Sequence, residues 1–394
     1  MATSLLTGRR FAFVSHLDFN LCRFRLPIMQ ALQQQGAEVW AITPPGSRTR
    51  CFANHDIRYL PWEIKRRSLS PLEALAAVNA LRRLLHRIQP DLVHSFTQRP
   101  NLYMGLARQW GTPGRWIASV TGLGNLYLEE GWRWRSLRLA IEALLRWGFT
   151  SAQALIFQNR DDLQYYLQRR LCTKMQARLI RGSGIDVQAF APGRVTEAER
   201  HQLRQTWGLP EDAFVVLMIA RLIRTKGVEE FLQVAQSLAT TTNRIYFVLI
   251  GDPDPGNPSS FTAAEMARWR QVPRLILPGF QERVQPWLSL ADLYVLPSYR
   301  EGLPRTVLEA MAMGLPIVTT NVPGCRETVE PGVNGFLIPP RDVEALRTKI
   351  LWFFRHPAQR RQMGEASRRK AVEEFALERV VAQHLTLYRQ VLRP

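Results

Sequence analysis

Long apolar runs are missing from this chain. No stretch of 18 or more apolar residues occurs among its 394 residues, so no spanning helix is expected. The opening stretch, MATSLLTGRRFAFVSHL, has no apolar h-region and no small-residue cleavage site. It reads as a lead-in to a strand, not as a signal peptide. Cysteine is scarce: Cys22, Cys51, Cys172 and Cys325 are scattered, with no CxxC pair and no zinc spacing. Reduced thiols in a cytosolic protein are therefore expected. Heptads, a fixed-period repeat and the phosphate loop G-x-x-x-x-G-K-[ST] are all absent. No D-x-D pair stands in a strand-end loop; the nearest likeness, Asp252-Pro-Asp254, belongs to the Pro-rich stretch GDPDPGNPSS. Acidic residues are few as well: 33 Asp and Glu against 52 Lys and Arg leave a formal charge of +19.

That excess is uneven. Residues 1–180 hold 25 Lys and Arg against 11 Asp and Glu, so +14 falls there and +5 in the remainder. The first half favours anionic partners: a phosphorylated substrate, a lipid surface or nucleic acid. Nucleic acid is set aside, because no reading module is recognisable and aromatics do not interleave with arginines along a strand.

What is present is alternation. FAFVS (11–15) precedes a helix from about Phe24 to Gln35, and EVWAIT, DLVHSF, WIASVTG and ALIFQ follow as short apolar runs between helical segments. The pattern restarts with AFVVLMIA (213–220), a helix at 227–239, IYFVLIG, LILPG, DLYVLPS (292–298), a helix at 304–313 and PIVTT. Helical segments fill 342–392. Strands alternating with helices predict parallel sheets, here two doubly wound α/β domains in tandem. The expected division is 1–185, 186–375 and a C-terminal helix, 376–394, returning towards the first domain. GSGIDVQAFAPGRV (182–195), rich in Gly and Pro, is the candidate hinge.

Ligands of open parallel sheets bind beyond the carboxyl ends of the strands. After VVLMIA comes Arg221-Leu-Ile-Arg-Thr-Lys226-Gly227, then a helix. Two cations at a helix start suit a diphosphate, since the helix dipole and the first N–H groups add to the attraction. An exposed basic turn is the alternative. After DLYVLPS comes Tyr299-Arg-Glu301-Gly302-Leu303-Pro-Arg-Thr306-Val-Leu-Glu309. Glu301 falls before the helix and Glu309 within it. Gly302 and Leu303 lie between them with backbone N–H groups to offer. Carboxylates accept strong hydrogen bonds from hydroxyls. The outline is a nucleotide sugar: Glu309 to the ribose, cations and helix starts to the diphosphate, Glu301 to the sugar. Glu309 sits in the apolar run VLEAMAMGLPIV, where a charge needs a partner.

These stretches resemble the retaining glycosyltransferases of family 4. EGLPRTVLEAMAMGLPIVTTNVPGCRETVEPGVNGFLIPPRD is similar to that family's E-x7-E block, ARLIRTKG to its R-x4-K block, and GSGIDVQAF to its linker. The resemblance implies the GT-B fold, two Rossmann-like domains facing a central cleft. It implies that Arg221 and Lys226 hold the diphosphate, Glu301 the donor sugar and Glu309 the ribose, with Gly302, Leu303 and Thr306 lining the phosphate site. RLPIMQALQQQGAEV, VHSFTQRPNLYMGLA and SVTGLGNLY resemble a subgroup that extends lipid-linked saccharides. A UDP-sugar donor and a polyprenyl-diphosphate-linked sugar acceptor are implied, with a soluble transferase of the same family acting on sugars or sugar phosphates without lipid as the alternative. In the implied front-face mechanism a diphosphate oxygen takes the acceptor proton, and neither a metal nor a cofactor is called for. Glycosidase chemistry would need paired carboxylates around a bound water, and no such pair is evident.

In the first domain His94 ends a strand, where orienting a ligand or a structural role both fit. Thr121, Gly122 and Gly124 either let backbone approach the acceptor or simply make a turn. Arg25, at a helix start, either binds acceptor phosphate or is a surface arginine. GWRWRSLRLAIEALLRWGF (131–149) mixes Trp, Leu and Arg at helical spacing. It suits an anionic membrane interface or an ordinary packed helix, and the positive charge of this half favours peripheral attachment at the cytoplasmic membrane face.

Overall fold

Strands buried at every position, such as FVVLMI over 214–219 and LVHSF over 92–96, need helices on both sides. The computed structural model, which describes residues 5–64, 70–124, 127 and 131–393, supplies them. Two compact units emerge: Met1–Gly184 with Leu377–Pro394, and Ile185–Ala376.

The first unit begins β1 (Arg10–Val14), α1 (Asp18–Phe24), α2 (Leu26–Gln34), β2 (Glu38–Thr43), α3 (Arg50–Ala53) and β3 (Arg58–Pro61). It continues α4 (Pro71–Ile88), β4 (Leu92–Phe96), α5 (Gln98–Gln109), β5 (Arg115–Val120), α6 (Trp132–Phe149), β6 (Ala154–Phe157), α7 (Arg160–Gln168) and β7 (Ala177–Leu179). The seven strands are parallel in the order β3-β2-β1-β4-β5-β6-β7. The second unit runs α8 (Glu197–Trp207), β8 (Phe214–Ile219), a 3-10 turn (Arg224–Lys226), α9 (Val228–Ala239), β9 (Ile245–Ile250), α10 (Ala263–Trp269) and β10 (Leu275–Gly279). Then come α11 (Gln285–Leu290), β11 (Leu293–Leu296), α12 (Arg305–Ala312), β12 (Ile317–Thr320), β13 (Gly335–Ile338), α13 (Val343–Arg355) and α14 (Pro357–Phe375). Its parallel order is β10-β9-β8-β11-β12-β13. The last helix, α15 (Leu377–Leu392), belongs to the first unit, where Tyr388 and Leu387 share a core with Phe11, Phe13 and Phe96.

In each sheet the order reverses once, at β1/β4 and at β8/β11. Loops leaving the carboxyl ends of those strands diverge there and open a crevice. The edge strands β3, β7 and β13 have no counterpart in the alternation read from sequence. They are only three or four residues long, and β13 opens on Gly335.

One expectation is overturned. Cys22 and Cys51 form a disulfide, with their Cα atoms 6.3 Å apart. They lie on α1 and α3, which follow the adjacent strands β1 and β2, so a separation of 29 residues closes in space. Cys172 and Cys325 are free thiols. Among the described residues no helix is long and apolar enough to cross a membrane. Of the stretch SVTGLGNLY, Asn125 and Leu126 lie outside the described residues.

Candidate functional site

At the β8/β11 reversal the two loops are joined through Gly227. Its φ is +75°, and a Cβ there would stand 2.1 Å from the Pro297 carbonyl oxygen. Only glycine lets the β8–α9 loop pass so close to the end of β11. The Tyr299 N–H donates to the Thr225 carbonyl at 2.9 Å, and the Ser298 hydroxyl to the same oxygen at 3.2 Å. A third loop, after β12, closes on them: the Glu301 N–H donates to the Pro323 carbonyl at 3.1 Å. A Cβ on Gly324, whose φ is +78°, would meet the Glu301 carbonyl oxygen at 2.5 Å.

This stitching brings Lys226 and Glu301 together. The Lys226 ammonium donates to Glu301 Oε1 at 2.5 Å, with the side chains only 21% and 11% exposed. Arg221 is directed elsewhere, to Asp254 Oδ2 at 2.7 Å, and its side chain is half exposed. The three cations of the stretch are thus paired with different acids, Arg224 with Glu229 and Glu265. Glu309 is buried on α12 and takes a hydrogen bond from Arg305 Nε at 3.1 Å, one turn earlier, which is the partner its apolar setting demands. Neither N-cap residue, Gly227 of α9 or Pro304 of α12, gives its helix a side-chain cap, and both helix starts lie at the crevice. Gly302 and Leu303 lie half-buried just before α12. The Thr306 hydroxyl bonds inward to Tyr294, a buried phenol that also donates to the Ile219 carbonyl at 3.2 Å. Burial raises that phenol's pKa well above its usual value.

Sequence reasoning missed the Glu230–Tyr299 contact. Tyr299 donates to Glu230 Oε1 at 2.5 Å, and the Arg341 guanidinium lies 4.8 Å over its ring. Burial, then the Glu230 carboxylate, raise the Tyr299 pKa. The contact ties the first turn of α9 to the loop carrying Glu301. Its signal was an acid one turn into an apolar helix. Beneath the crevice, burial pushes the Cys325 thiol up to about 12, and the Glu301 charge adds to the effect.

At the β1/β4 reversal the structure corrects two readings. His94 is not at a strand end; it stands in the middle of β4, fully buried. Its Nδ1 shares a hydrogen bond with the Tyr388 hydroxyl of α15 at 2.6 Å, and its Nε2 with Ser119 Oγ of β5 at 2.8 Å. Both ring nitrogens are used within the unit, and burial holds its pKa well below the usual value. Arg25 is not a surface arginine. It is 3% exposed, with its guanidinium 4.7 Å over the Phe96 ring. Thr121 and Gly122 are half-buried and Gly124 is exposed, all just beyond β5, and the Gln98 side chain donates to the Gly122 carbonyl at 3.3 Å. The histidine that does stand beyond a strand end at this reversal is His16, two residues past β1. Its Nδ1 lies 2.8 Å from the hydroxyl of Thr97, which takes φ +72° just after β4. The strand-end rule that selected Arg221 and Glu301 would have selected His16.

Residues 199–370 match the family model described as glycosyl transferases group 1, and residues 12–159 match the one described as glycosyl transferase 4-like. The chain is 29% identical over 390 residues to the N,N'-diacetylbacillosaminyl-diphospho-undecaprenol alpha-1,3-N-acetylgalactosaminyltransferase of Campylobacter jejuni, covering 98% of this chain and 99% of that one. It is 24% identical over 282 residues to the UDP-Gal:alpha-D-GlcNAc-diphosphoundecaprenol alpha-1,3-galactosyltransferase of Escherichia coli, covering 71% and 70%. The fold is shared with the Anabaena protein HepE, solved with UDP and glucose, at a TM-score of 0.79, 19% identity and coverage of 97% and 99%.

Proposed function

Since the chain belongs to the family 4 glycosyltransferases of the GT-B type, we propose that it moves a sugar from a UDP-linked donor to a sugar carried on a polyprenyl diphosphate, with retention. The observation that carries this reading is the Lys226–Glu301 pair at the β8/β11 reversal, beside two helix starts without side-chain caps. A diphosphate arriving there meets the Lys226 ammonium and both helix dipoles. Arg221, half exposed, turns from Asp254 to reach it. Gly302, Leu303 and Thr306 border the phosphates, Glu309 accepts from the ribose hydroxyls and Glu301 from the donor sugar.

Negative charge grows on the leaving diphosphate as the glycosidic bond breaks. Fixed cations and N–H groups aimed at that charge lower the barrier, commonly the largest single contribution to catalysis. The acceptor hydroxyl attacks from the same face, its proton passes to a diphosphate oxygen, and the new bond keeps the anomeric configuration. Arg25, Thr121, Gly122 and Gly124 serve the acceptor side. Arg25 acts through the charge it sets under the β1/β4 reversal, as it is buried. The lipid-linked acceptor is supported by the two curated relatives, whose names specify undecaprenyl-diphosphate-linked sugars. The enzyme works at the cytoplasmic membrane face, held peripherally by its positive first half, in the assembly of a cell-surface polysaccharide or glycan.

The test is a donor screen by product mass spectrometry against one undecaprenyl-diphosphate-linked sugar, with Glu301→Ala as the paired variant. A single UDP-sugar should give a product heavier by one hexose or N-acetylhexosamine, and Glu301→Ala should lose transfer by about two orders of magnitude or more. Product on a water-soluble sugar but none on the lipid-linked one would replace this acceptor reading.

A further inference from the structure

The first unit carries an apolar surface that its own packing does not use. α6 turns Glu142, Leu145, Gly148 and Phe149 inward. Two features fix that orientation. A Cβ on Gly148 would stand 2.8 Å from the Gly105 Cα, so α5 and α6 touch backbone to backbone. The buried Glu142 carboxylate accepts from Arg169 at 3.0 and 2.8 Å and from the Tyr165 hydroxyl at 2.5 Å, tying the helix to α7 and the residue after it. A helix held by a close backbone contact and a buried carboxylate does not roll.

The opposite side should then be polar, as on any helix packed at a protein surface. It is not. Trp132, Leu139, Ala143 and Trp147 follow at helical spacing along it, broken by Ser136, whose hydroxyl donates to the Trp132 carbonyl at 3.0 Å. Trp132 is 73% exposed, Leu139 56% and Trp147 47%, with Leu144 alongside at 41%. Next to the stripe the Gln109 amide donates to the Trp147 carbonyl at 3.1 Å, and Trp110, the following residue, is exposed too. Arginines rim the stripe. The Arg133 guanidinium lies 5.4 Å from the centre of the Trp132 ring, and Arg135 is exposed. Arg146 donates to the Arg169 and Arg170 carbonyls, which gathers more positive charge along that edge.

We propose that this outward face of α6 is the docking surface for an anionic phospholipid bilayer, with the helix lying in the plane of the headgroups. Tryptophan prefers that depth, where an apolar ring meets polar headgroups. Arginines at the rim reach lipid phosphates while Leu139, Leu144 and Ala143 enter the acyl boundary. Charge decides between a bilayer and a second copy of this chain. A self-associated pair would set the arginine rims of two strongly positive halves against each other, whereas an anionic leaflet complements them. The inference deepens the lipid-linked acceptor reading and rests on it for its purpose. Its test, however, involves no nucleotide and no acceptor, so either can fail alone.

The experiment is co-sedimentation of the full chain with vesicles of phosphatidylglycerol and phosphatidylcholine, and with pure phosphatidylcholine, at low and high salt. The comparison variants are the double change Leu139→Ser with Trp147→Ser and, as a control on a different exposed apolar side chain, Met175→Ser. Circular dichroism verifies folding. The protein should pellet with the anionic vesicles and be released by salt. The double variant should lose about tenfold or more in partitioning while Met175→Ser matches the parent. A parent that stays in the supernatant at low salt overturns the proposal, as does a double variant that pellets equally. A lipid-free dimer that the double variant dissolves also overturns it, by making the face a self-interface.

Discussion

Replacing Lys226 by Ala perturbs two quantities at once, and the structure sets the size of each. Glu301 is 11% exposed and hydrogen-bonded to the departing ammonium at 2.5 Å, so the variant strands a largely desolvated carboxylate. Breaking an enclosed pair by removing one member costs about 3–5 kcal/mol; with Lys226 itself 21% exposed, water can reach the gap, and about 2–3 kcal/mol is expected here. The thermal transition of the second unit should fall by roughly 4–12 °C. Removing Glu301 as well relieves the stranded charge, so the double variant should be more stable than the two single losses summed. Catalysis behaves differently. Loss of one fixed donor to a developing oxyanion costs about 3–4 kcal/mol, or roughly 10²–10³-fold in kcat, and removing Glu301 restores none of it. The assay is kcat at saturating donor by product mass spectrometry, beside thermal unfolding of the same preparations. A Lys226→Ala enzyme whose kcat stays within about threefold of the parent would refute the role of the ammonium. Stability losses that simply add would refute the pairing.

Three further outcomes follow from other sites. Gly227→Ala forces a Cβ to 2.1 Å from the Pro297 carbonyl at φ +75°, so the second unit should lose about 3 kcal/mol or more, read by urea unfolding; a loss under about 1 kcal/mol would contradict the loop contact. Burial, opposed by a hydrogen bond to the Val380 carbonyl and helped by the Arg25 charge, lowers the pKa of His384 from 6.5 to about 4. The unfolded chain takes up that proton near pH 6.5 and the folded unit resists until about 4. This contribution, about 3 kcal/mol, is therefore full above pH 6.5 and drains away as the pH falls from 6.5 to 4. Urea melts at pH 7 and 4.5 should show the loss, and His384→Gln should shrink it. Alkylation of the denatured, unreduced protein should label Cys172 and Cys325 and spare Cys22 and Cys51; labelling of all four would contradict the disulfide.

The sequence was most legible where burial is complete. The run AFVVLMIA marks β8 to within a residue at each end, because a parallel strand covered on both sides must be apolar throughout. Gly227 and Glu301 could be placed in the loops between a strand and the next helix for the same reason. Edge strands such as β13 were not legible, since one neighbour suffices to form them and neither length nor pattern sets them apart. His94 misled because a histidine near a strand end looks the same whether it faces solvent or core. What encloses it, Tyr388, is 294 residues away on the last helix. The Cys22–Cys51 bond was hidden likewise, since nothing local shows that α1 and α3 follow neighbouring strands. α6 was half legible. Its Trp, Leu and Arg spacing was plain, but which side packs is decided by Gly105 and Glu142, one of them on another helix.

Nucleotide recognition by the second unit underlies the proposed transfer, and a crystal of the enzyme grown with uridine diphosphate tests it most directly. Density for the pyrophosphate should lie within hydrogen-bonding distance of Lys226 Nζ and the first turns of α9 and α12, with the ribose hydroxyls on Glu309. A nucleotide lodged elsewhere, or an unoccupied β8/β11 crevice at saturating uridine diphosphate, would contradict it.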